Sequence, residues 1–107
     1  MPKKIRDAQA VPTQIAERLR TWGHAVRAQR VLRHIPAVDL CARMDISDAT
    51  LRRIERGDPG VSAATYLTAL WVLGILDAAA PVMDAAYWQA NPNARARPIA
   101  QDDDDYF

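Results

Sequence analysis

The most constraining feature of the sequence is a nine-residue amphipathic segment between a helix-starting serine and a helix-ending glycine. Ser47 is a favourable residue before the first turn of a helix, and Gly57 suits the left-handed backbone that ends one. Between them, Leu51 and Ile54 lie three residues apart and share one helix face, whereas arginines occupy the opposite face. The sequence therefore predicts a short helix that is buried on one side and cationic on the other.

The same kinds of start and stop signal predict four further helices. Together with the segment above, the predicted helices cover about 13–33, 36–44, 48–56, 63–73 and 77–90. Pro81 is expected in the first turn of the last helix, and Gly23, inside the first, indicates either close packing or a break. Only 4 glycines are present and long alternating runs of Val, Ile and Thr are absent, which argues against strands. The predicted fold class is all-α.

Charge divides the chain into two unlike halves. Residues 1–56 contain 12 Lys and Arg against 6 Asp and Glu, whereas residues 57–107 contain 2 against 7. A basic half favours a nucleic-acid partner, while the other half ends in the acidic run Asp102–Asp105. Segments 1–12 (polar and basic) and 91–107 (acidic) are predicted to be flexible, which leaves one domain over 13–90.

Residues with metal-binding or catalytic chemistry are few. Cys41 is the single cysteine and is predicted to lie in the core, and His24 and His34 are too isolated to complete a zinc set. No acid–base pair, activated nucleophile or phosphate-binding loop is recognisable, so we expect neither an enzyme nor a bound cofactor. The longest apolar run, Ala69–Leu76, is too short to span a bilayer, which predicts a cytoplasmic protein without membrane contact.

The stretch from Ile35 to Gly57 reads IPAVDLCARMDISDATLRRIERG: two short helices joined by a tight turn. It resembles the helix-turn-helix of the Xre family of lambda-repressor-like regulators. The positions that carry the resemblance are Ile35, Leu40-Cys41, Ile46-Ser47, Thr50-Leu51 and Ile54-Glu55-Arg56-Gly57, with Trp22-Gly23, Val26-Arg27 and Arg30 before them. The resemblance implies a five-helix lambda-repressor-like domain whose third helix enters the major groove of double-stranded DNA.

Two later segments, 57–62 and 70–77, are similar to the HipB-like antitoxins encoded beside HipA-type kinase toxins. This similarity implies a homodimer that represses its own operon and binds the toxin. The chain departs from the family pattern at three positions. Ala37 stands where a phosphate- or base-bonding Gln is usual, Asp45 replaces the turn glycine, and Pro36 replaces a capping Ser.

The resemblance assigns roles to three sets of residues. Base-reading positions are Asp48, Ala49, Arg52 and Arg53. Phosphate-binding positions are Arg27, Arg33, Arg43, Thr50 and Arg56. An ion pair between Arg30 and Glu55 is expected to tie the first helix to the third. Apolar residues late in the chain predict a two-fold dimer interface formed by Trp71, Leu76, Val82, Met83, Tyr87 and Trp88.

These observations predict a DNA-binding transcriptional repressor that is also the antitoxin of a HipA-type cassette. Two alternatives remain: a solitary phage or host repressor without a toxin, and a protein-interaction adaptor that has lost DNA binding, which Ala37 and Asp48 favour. The segment Asp102–Phe107 has three interpretations. It is a solvated tail, an acidic peptide with an aromatic end that docks into a basic, apolar-lined site, or a competitor of DNA for the basic face.

Overall fold

In the computed structural model, residues 10–90 are described, and among them there are five α-helices, one 3₁₀ turn and no strand. The helices are α1 (Thr13–Leu32), α2 (Ala37–Met44), α3 (Asp48–Arg56), α4 (Ala63–Val72) and α5 (Leu76–Ala79), followed by the 3₁₀ turn Ala85–Tyr87. The all-α class is confirmed for this part of the chain. Apart from residues 10–12, the segments predicted to be flexible lie outside the described residues.

Serine side chains begin α3 and α4, as the sequence predicted. The Oγ atom of Ser47 accepts a hydrogen bond from the N–H of Thr50, and that of Ser62 accepts one from Thr65, both at 3.1 Å. Each bond satisfies one of the N–H groups that a first helical turn leaves without an intrahelical partner. Pro12 and Pro36, which precede α1 and α2, supply no side-chain cap.

Four helices end in the same hydrogen-bonded turn, the Schellman motif, around a residue with positive φ. These residues are His34, Asp45, Gly57 and Gly74. In each turn the next N–H bonds the carbonyl five residues before it, as Ile75 does to Leu70 at 2.9 Å. Three of the four following residues are isoleucines that pack against the core, Ile35, Ile46 and Ile75. The chain therefore reverses at positions that are fixed by both backbone and apolar contacts.

The core is formed by nine buried residues of α1 to α4 and the turn after α4. They are Val26, Leu40, Cys41, Leu51, Ile54, Tyr66, Ala69, Leu70 and Leu73. Cys41 is among them, as predicted, and burial raises the pKa of its thiol. The ring of Trp22 lies against that of Tyr66, with centroids 6.0 Å apart, so this tryptophan also packs against the core.

Two glycines allow α1 and α3 to pack at close range. A Cβ atom on Gly23 of α1 would overlap the carbonyl oxygen of Ile54 and lie 2.8 Å from that of Glu55. A Cβ atom on Gly57, which ends α3, would lie 2.7 Å from the Cα of Arg20. Gly23 thus marks close packing and not a break, because α1 continues through it without interruption.

The helix predicted from about Asp77 to Ala90 is wrong in extent. α5 ends at Ala79, and Ala80 has the extended angles φ −146° and ψ 77°. Proline disfavours the helical conformation of the residue before it, so Pro81 terminates the helix instead of occupying its first turn. The chain resumes helical turns only over Ala85–Tyr87, where the Asp84 carboxylate accepts a hydrogen bond from the N–H of Ala86 at 3.0 Å.

Candidate nucleic-acid interface

The outward face of α3 consists of five residues, all exposed: Asp48, Ala49, Arg52, Arg53 and Arg56. Since residues follow one another at about 100° around a helix, these positions fill an arc about 140° wide. Leu51 and Ile54 point to the opposite side and are buried. The four residues predicted to read bases therefore lie together on an exposed surface that is anchored from behind.

Asp48 and Arg52 form an ion pair on this face, with 2.8 Å between the Asp48 Oδ2 and Arg52 Nη2 atoms. The residues are four apart and so lie one turn from each other on the same side of α3. The carboxylate holds the Arg52 guanidinium close to the helix and also lies in the first turn, where a negative charge is favourable. This pair was not predicted from the sequence, although the four-residue spacing of Asp48 and Arg52 indicates it.

The first turns of α2 and α3 carry polar groups: side-chain hydroxyls at α3 and backbone N–H groups at α2. The Ser47 hydroxyl donates to the Thr50 hydroxyl over 3.1 Å, and Thr50 is half-buried. At α2, Pro36 supplies no side-chain cap, so the N–H groups of Ala37 and Val38 have no side-chain oxygen from Pro36 to bond. N–H groups at a helix start favour anions.

The predicted ion pair between Arg30 and Glu55 is formed. Arg30 Nε lies 2.9 Å from Glu55 Oε2, Arg30 Nη2 lies 3.4 Å from Oε1, and both side chains are 12% exposed. Arg30 also donates to the carbonyl of Ile35 at 3.3 Å. A bidentate pair of this kind fixes orientation as well as distance. It joins the end of α1 and the start of α2 to α3.

Arg27, a predicted phosphate contact, approaches the same carboxylate from outside. Its Nη1 atom is 3.8 Å from Glu55 Oε1, and its side chain is 64% exposed. An exposed pair at this distance contributes little to stability. The Arg27 guanidinium therefore remains accessible to an external anion beside α3.

The other predicted phosphate-binding arginines differ in their surroundings. Arg43 and Arg56 are exposed in the last turns of α2 and α3. Arg33 instead lies at the end of α4: a Cβ atom on Gly74 would be 3.6 Å from both its terminal guanidinium nitrogens. A cation at a helix C-terminus is favourable, which gives Arg33 a structural role that competes with the predicted one.

The residues predicted to form a dimer interface do not share one environment. Trp71, Val82, Met83, Tyr87 and Trp88 are exposed. Leu76, in contrast, is half-buried and packs against the core. The exposed aromatic residues belong to α4 and to the segment after α5, so Tyr87 and Trp88 do not lie on the fifth helix that the sequence predicted.

One surface feature was not predicted from the sequence: a shallow, open groove on one side of α1, lined among the described residues by His24, Arg27, Ala28, Val31 and Leu32. The signal for it is present in the sequence, because these positions recur at three- and four-residue spacing on one side of the helix. Within residues 10–90, no cluster of three or more His, Cys, Asp or Glu side chains is arranged to hold a metal ion.

Comparison of the chain with family models, with curated proteins and with solved structures gives no match. Among the described residues, no helix has both the length and the apolar character that crossing a membrane requires.

Proposed function

We propose that the chain binds double-stranded DNA in a sequence-specific manner and acts as a transcriptional repressor, with α2 and α3 as its helix-turn-helix. The observation that carries the proposal is the exposed, arginine-bearing face of α3 with Leu51 and Ile54 buried behind it. An α-helix with its side chains is about 10–12 Å in diameter, which the major groove, about 12 Å wide, can admit. The exposed side chains of this helix are then free to meet base edges.

Three further features support this function. The Arg30–Glu55 pair fixes α3 relative to α1 and α2, which keeps the orientation of the reading helix constant. Arg27 and Arg43 add accessible positive charge for phosphate oxygens. The Asp48 carboxylate restricts the rotamers of Arg52, so less conformational entropy is lost when that guanidinium meets a guanine.

Self-association is part of the proposal, because repressors of this kind read two half-sites. Trp71, Tyr87 and Trp88 are each at least 66% exposed. At about 150–250 Å² for each aromatic side chain, the three offer about 300–500 Å² of surface. A stable interface takes about 800 Å² from each partner, so Val82, Met83 and some polar surface must contribute the rest. The family resemblance also implies a second protein partner, a HipA-like kinase, whose binding to the chain can be tested.

The direct test is enrichment of a duplex from a random library by the full chain, followed by titration of the enriched duplex and a scrambled one. We expect preferential binding to the enriched sequence, with an affinity that falls steeply as salt increases. Arg53→Ala should reduce binding to the enriched duplex by about 1–3 kcal/mol and relax the preference at particular bases.

Arg18→Ala is the matched control. Arg18 is an exposed arginine of α1 that has no assigned contact with DNA, and its replacement removes the same charge. If Arg18→Ala and Arg53→Ala lowered the affinity for the enriched duplex equally, the loss would be explained by net charge alone and not by base contacts. A library that yields no enriched sequence would reject sequence-specific binding and favour the adaptor alternative.

A further inference from the structure

The groove on α1 includes apolar side chains, Val31 and Leu32, that the proposed DNA contacts do not use, and it shares only Arg27 with those contacts. Its volume is about 390 Å³, and its floor includes Val31 and Leu32, which are 54% and 69% exposed. Both residues are aliphatic and lie in the last turn of α1. They are exposed, whereas Val26, earlier in the same helix, is buried in the core. Burying these two side chains would be favourable by the hydrophobic effect.

The edge of this groove is cationic. The Arg27 guanidinium lies along it with most of its surface exposed, and His24 is exposed one turn earlier. A ligand that suits the groove would therefore combine apolar or aromatic groups for the floor with carboxylates for the edge.

We propose that residues 102–107 of the same chain dock into the α1 groove. This segment consists of four consecutive aspartates followed by Tyr106 and Phe107, so it carries both of the chemistries that the groove accepts. The aromatic side chains cover Val31 and Leu32, and the aspartates lie beside Arg27 and His24. The outward face of α3 fits this segment less well, because Ala49 is its only apolar residue.

The length of the chain between the domain and the segment is compatible with docking on α1. The Arg33 guanidinium, just after α1, lies 3.6 Å from where a Cβ atom on Gly74 would be, so the end of α1 is near the turn between α4 and α5, from which the chain continues to residue 90. Eleven residues, the number in 91–101, can span at most about 36–40 Å. The 20-residue helix α1 is about 30 Å long. Short flexible linkers give effective concentrations of about 1 mM, which favours the chain's own segment over that of a second copy at micromolar concentration.

A spin label attached to a Gln101→Cys variant of the full chain tests the proposal without DNA. The native Cys41 is buried and its thiol pKa is raised, so the new cysteine is the one that reacts. The label broadens nuclear magnetic resonance signals of nearby amides. We expect the largest loss of signal at residues 24–32 of α1, unchanged on dilution and reduced by high salt.

Two sets of variants identify the contacts. Replacing Asp102–Asp105 with asparagine should abolish the loss of signal, and so should Leu32→Ser. Val38→Ser is the matched control, because Val38 is an aliphatic residue of α2 with 71% exposure outside the groove, and this change should leave the signal loss intact. Val31→Ser provides a second groove variant, with circular dichroism confirming that each variant is folded.

Three results would overturn the proposal: signal loss centred on α3, signal loss spread evenly over the domain, or signal loss at α1 that Leu32→Ser does not reduce. Loss that disappears on dilution would assign the occupied groove to a second copy and overturn the assignment to the same chain. Since no duplex is present, each of these outcomes leaves the proposed DNA binding to be judged by its own titration.

Discussion

The body of the domain, residues 13–75, and the segment after it, 76–90, differ in packing in a way that apolar content does not explain, because the segment is the richer in apolar residues, with 11 of 15 against 31 of 63. All nine buried hydrophobic residues lie between Val26 and Leu73. The segment after the body contains no buried residue, and Val82, Met83, Tyr87 and Trp88 are more than 60% exposed. Apolar residues alone therefore do not determine burial, because they must also occur on a helix face that meets another helix.

Local hydrogen bonds are present in both regions, so they do not explain the difference. In the later segment, the Trp88 indole N–H donates to the carbonyl of Met83 at 3.2 Å. That bond holds the turn together, but the side chains of Met83 and Trp88 remain exposed. In the body, the turns at Asp45 and Gly57 allow α3 to pack against both α1 and α2, and burial follows from the contacts between helices. The body is stabilised by packing, whereas in the later segment only Leu76 and Ala79 pack against the core and the large side chains after Pro81 are exposed.

Among substitutions that test this comparison, Gly23→Ala is expected to lower the free energy of unfolding the most. The added methyl group would meet the backbone carbonyls of Ile54 and Glu55, which cannot rotate away as a side chain can. Overpacking of this kind costs about 3 kcal/mol of the free energy of unfolding when the backbone must move. Chemical denaturation followed by circular dichroism measures the loss.

Gly60→Ala is the control for this prediction. A Cβ atom on Gly60 meets only the Asp58 side chain, at 3.2 Å, and the residue is exposed in the turn before α4. We expect a much smaller change, because a carboxylate can shift to relieve the contact. Equal destabilisation by the two substitutions would mean that the close approach of α1 and α3 does not stabilise the body.

A smaller effect is expected from the ion pair that joins α1 to α3. A double-mutant cycle with Arg30→Met and Glu55→Gln should give a coupling energy of about 1–2 kcal/mol, because the two side chains are in contact and mostly buried. The same cycle with Arg27→Met in place of Arg30→Met should give a smaller value, since Arg27 is exposed and more distant. A larger coupling for Arg27 would contradict the geometry.

Much of the body was predictable because its signals are local. Ser47 and Ser62 cap helices, and Gly57 and Gly74 end them, as the sequence indicated. Asp45 adopts the left-handed conformation at the turn position where glycine was expected. The Arg30–Glu55 pair was predicted through the family resemblance and not from spacing, since 25 residues separate the two partners.

The later segment was predicted less well because its signals conflict. The apolar spacing of Val82, Met83, Ala86 and Tyr87 favours a helix, but Pro81 constrains Ala80 and no neighbouring helix offers a surface for the apolar side. Arg33 shows a related limit. It is exposed, as its position in the sequence indicates, but its location at the end of α4 depends on how distant parts of the chain meet.

Stability at high pH provides a more modest test of packing in the body. The Tyr66 hydroxyl donates to the carbonyl of Asp58 at 2.7 Å, and burial, with the nearby Asp58 charge, raises the pKa of Tyr66 from its ordinary value of 10.0 to about 12. A pKa that is raised by folding means that the protonated form is favoured in the folded chain. Protonated Tyr66 therefore contributes to the free energy of unfolding. This contribution is complete below pH 10.0 and is lost as the pH rises through about 12.

Tyr66→Phe removes both the hydrogen bond and the titration. We expect the variant to be less stable than the unaltered chain by about 1 kcal/mol at neutral pH, with the difference shrinking above pH 10. Urea unfolding at a series of pH values measures it. A difference that stays constant to pH 12 would show that the titration of Tyr66 is not coupled to unfolding.

The smallest effect on stability is expected in the later segment, from Trp88→Ala. Because this side chain is 66% exposed and packs against no core residue, its removal should change the free energy of unfolding of the monomer by less than about 0.5 kcal/mol. The same substitution should weaken self-association, measured by sedimentation equilibrium, because it removes aromatic surface from the proposed interface. Trp22, which contacts Tyr66, provides the contrast, since Trp22→Ala should destabilise the monomer. If Trp88→Ala instead lowered the stability of the monomer as much as Trp22→Ala did, the later segment would have to be counted as part of the packed body.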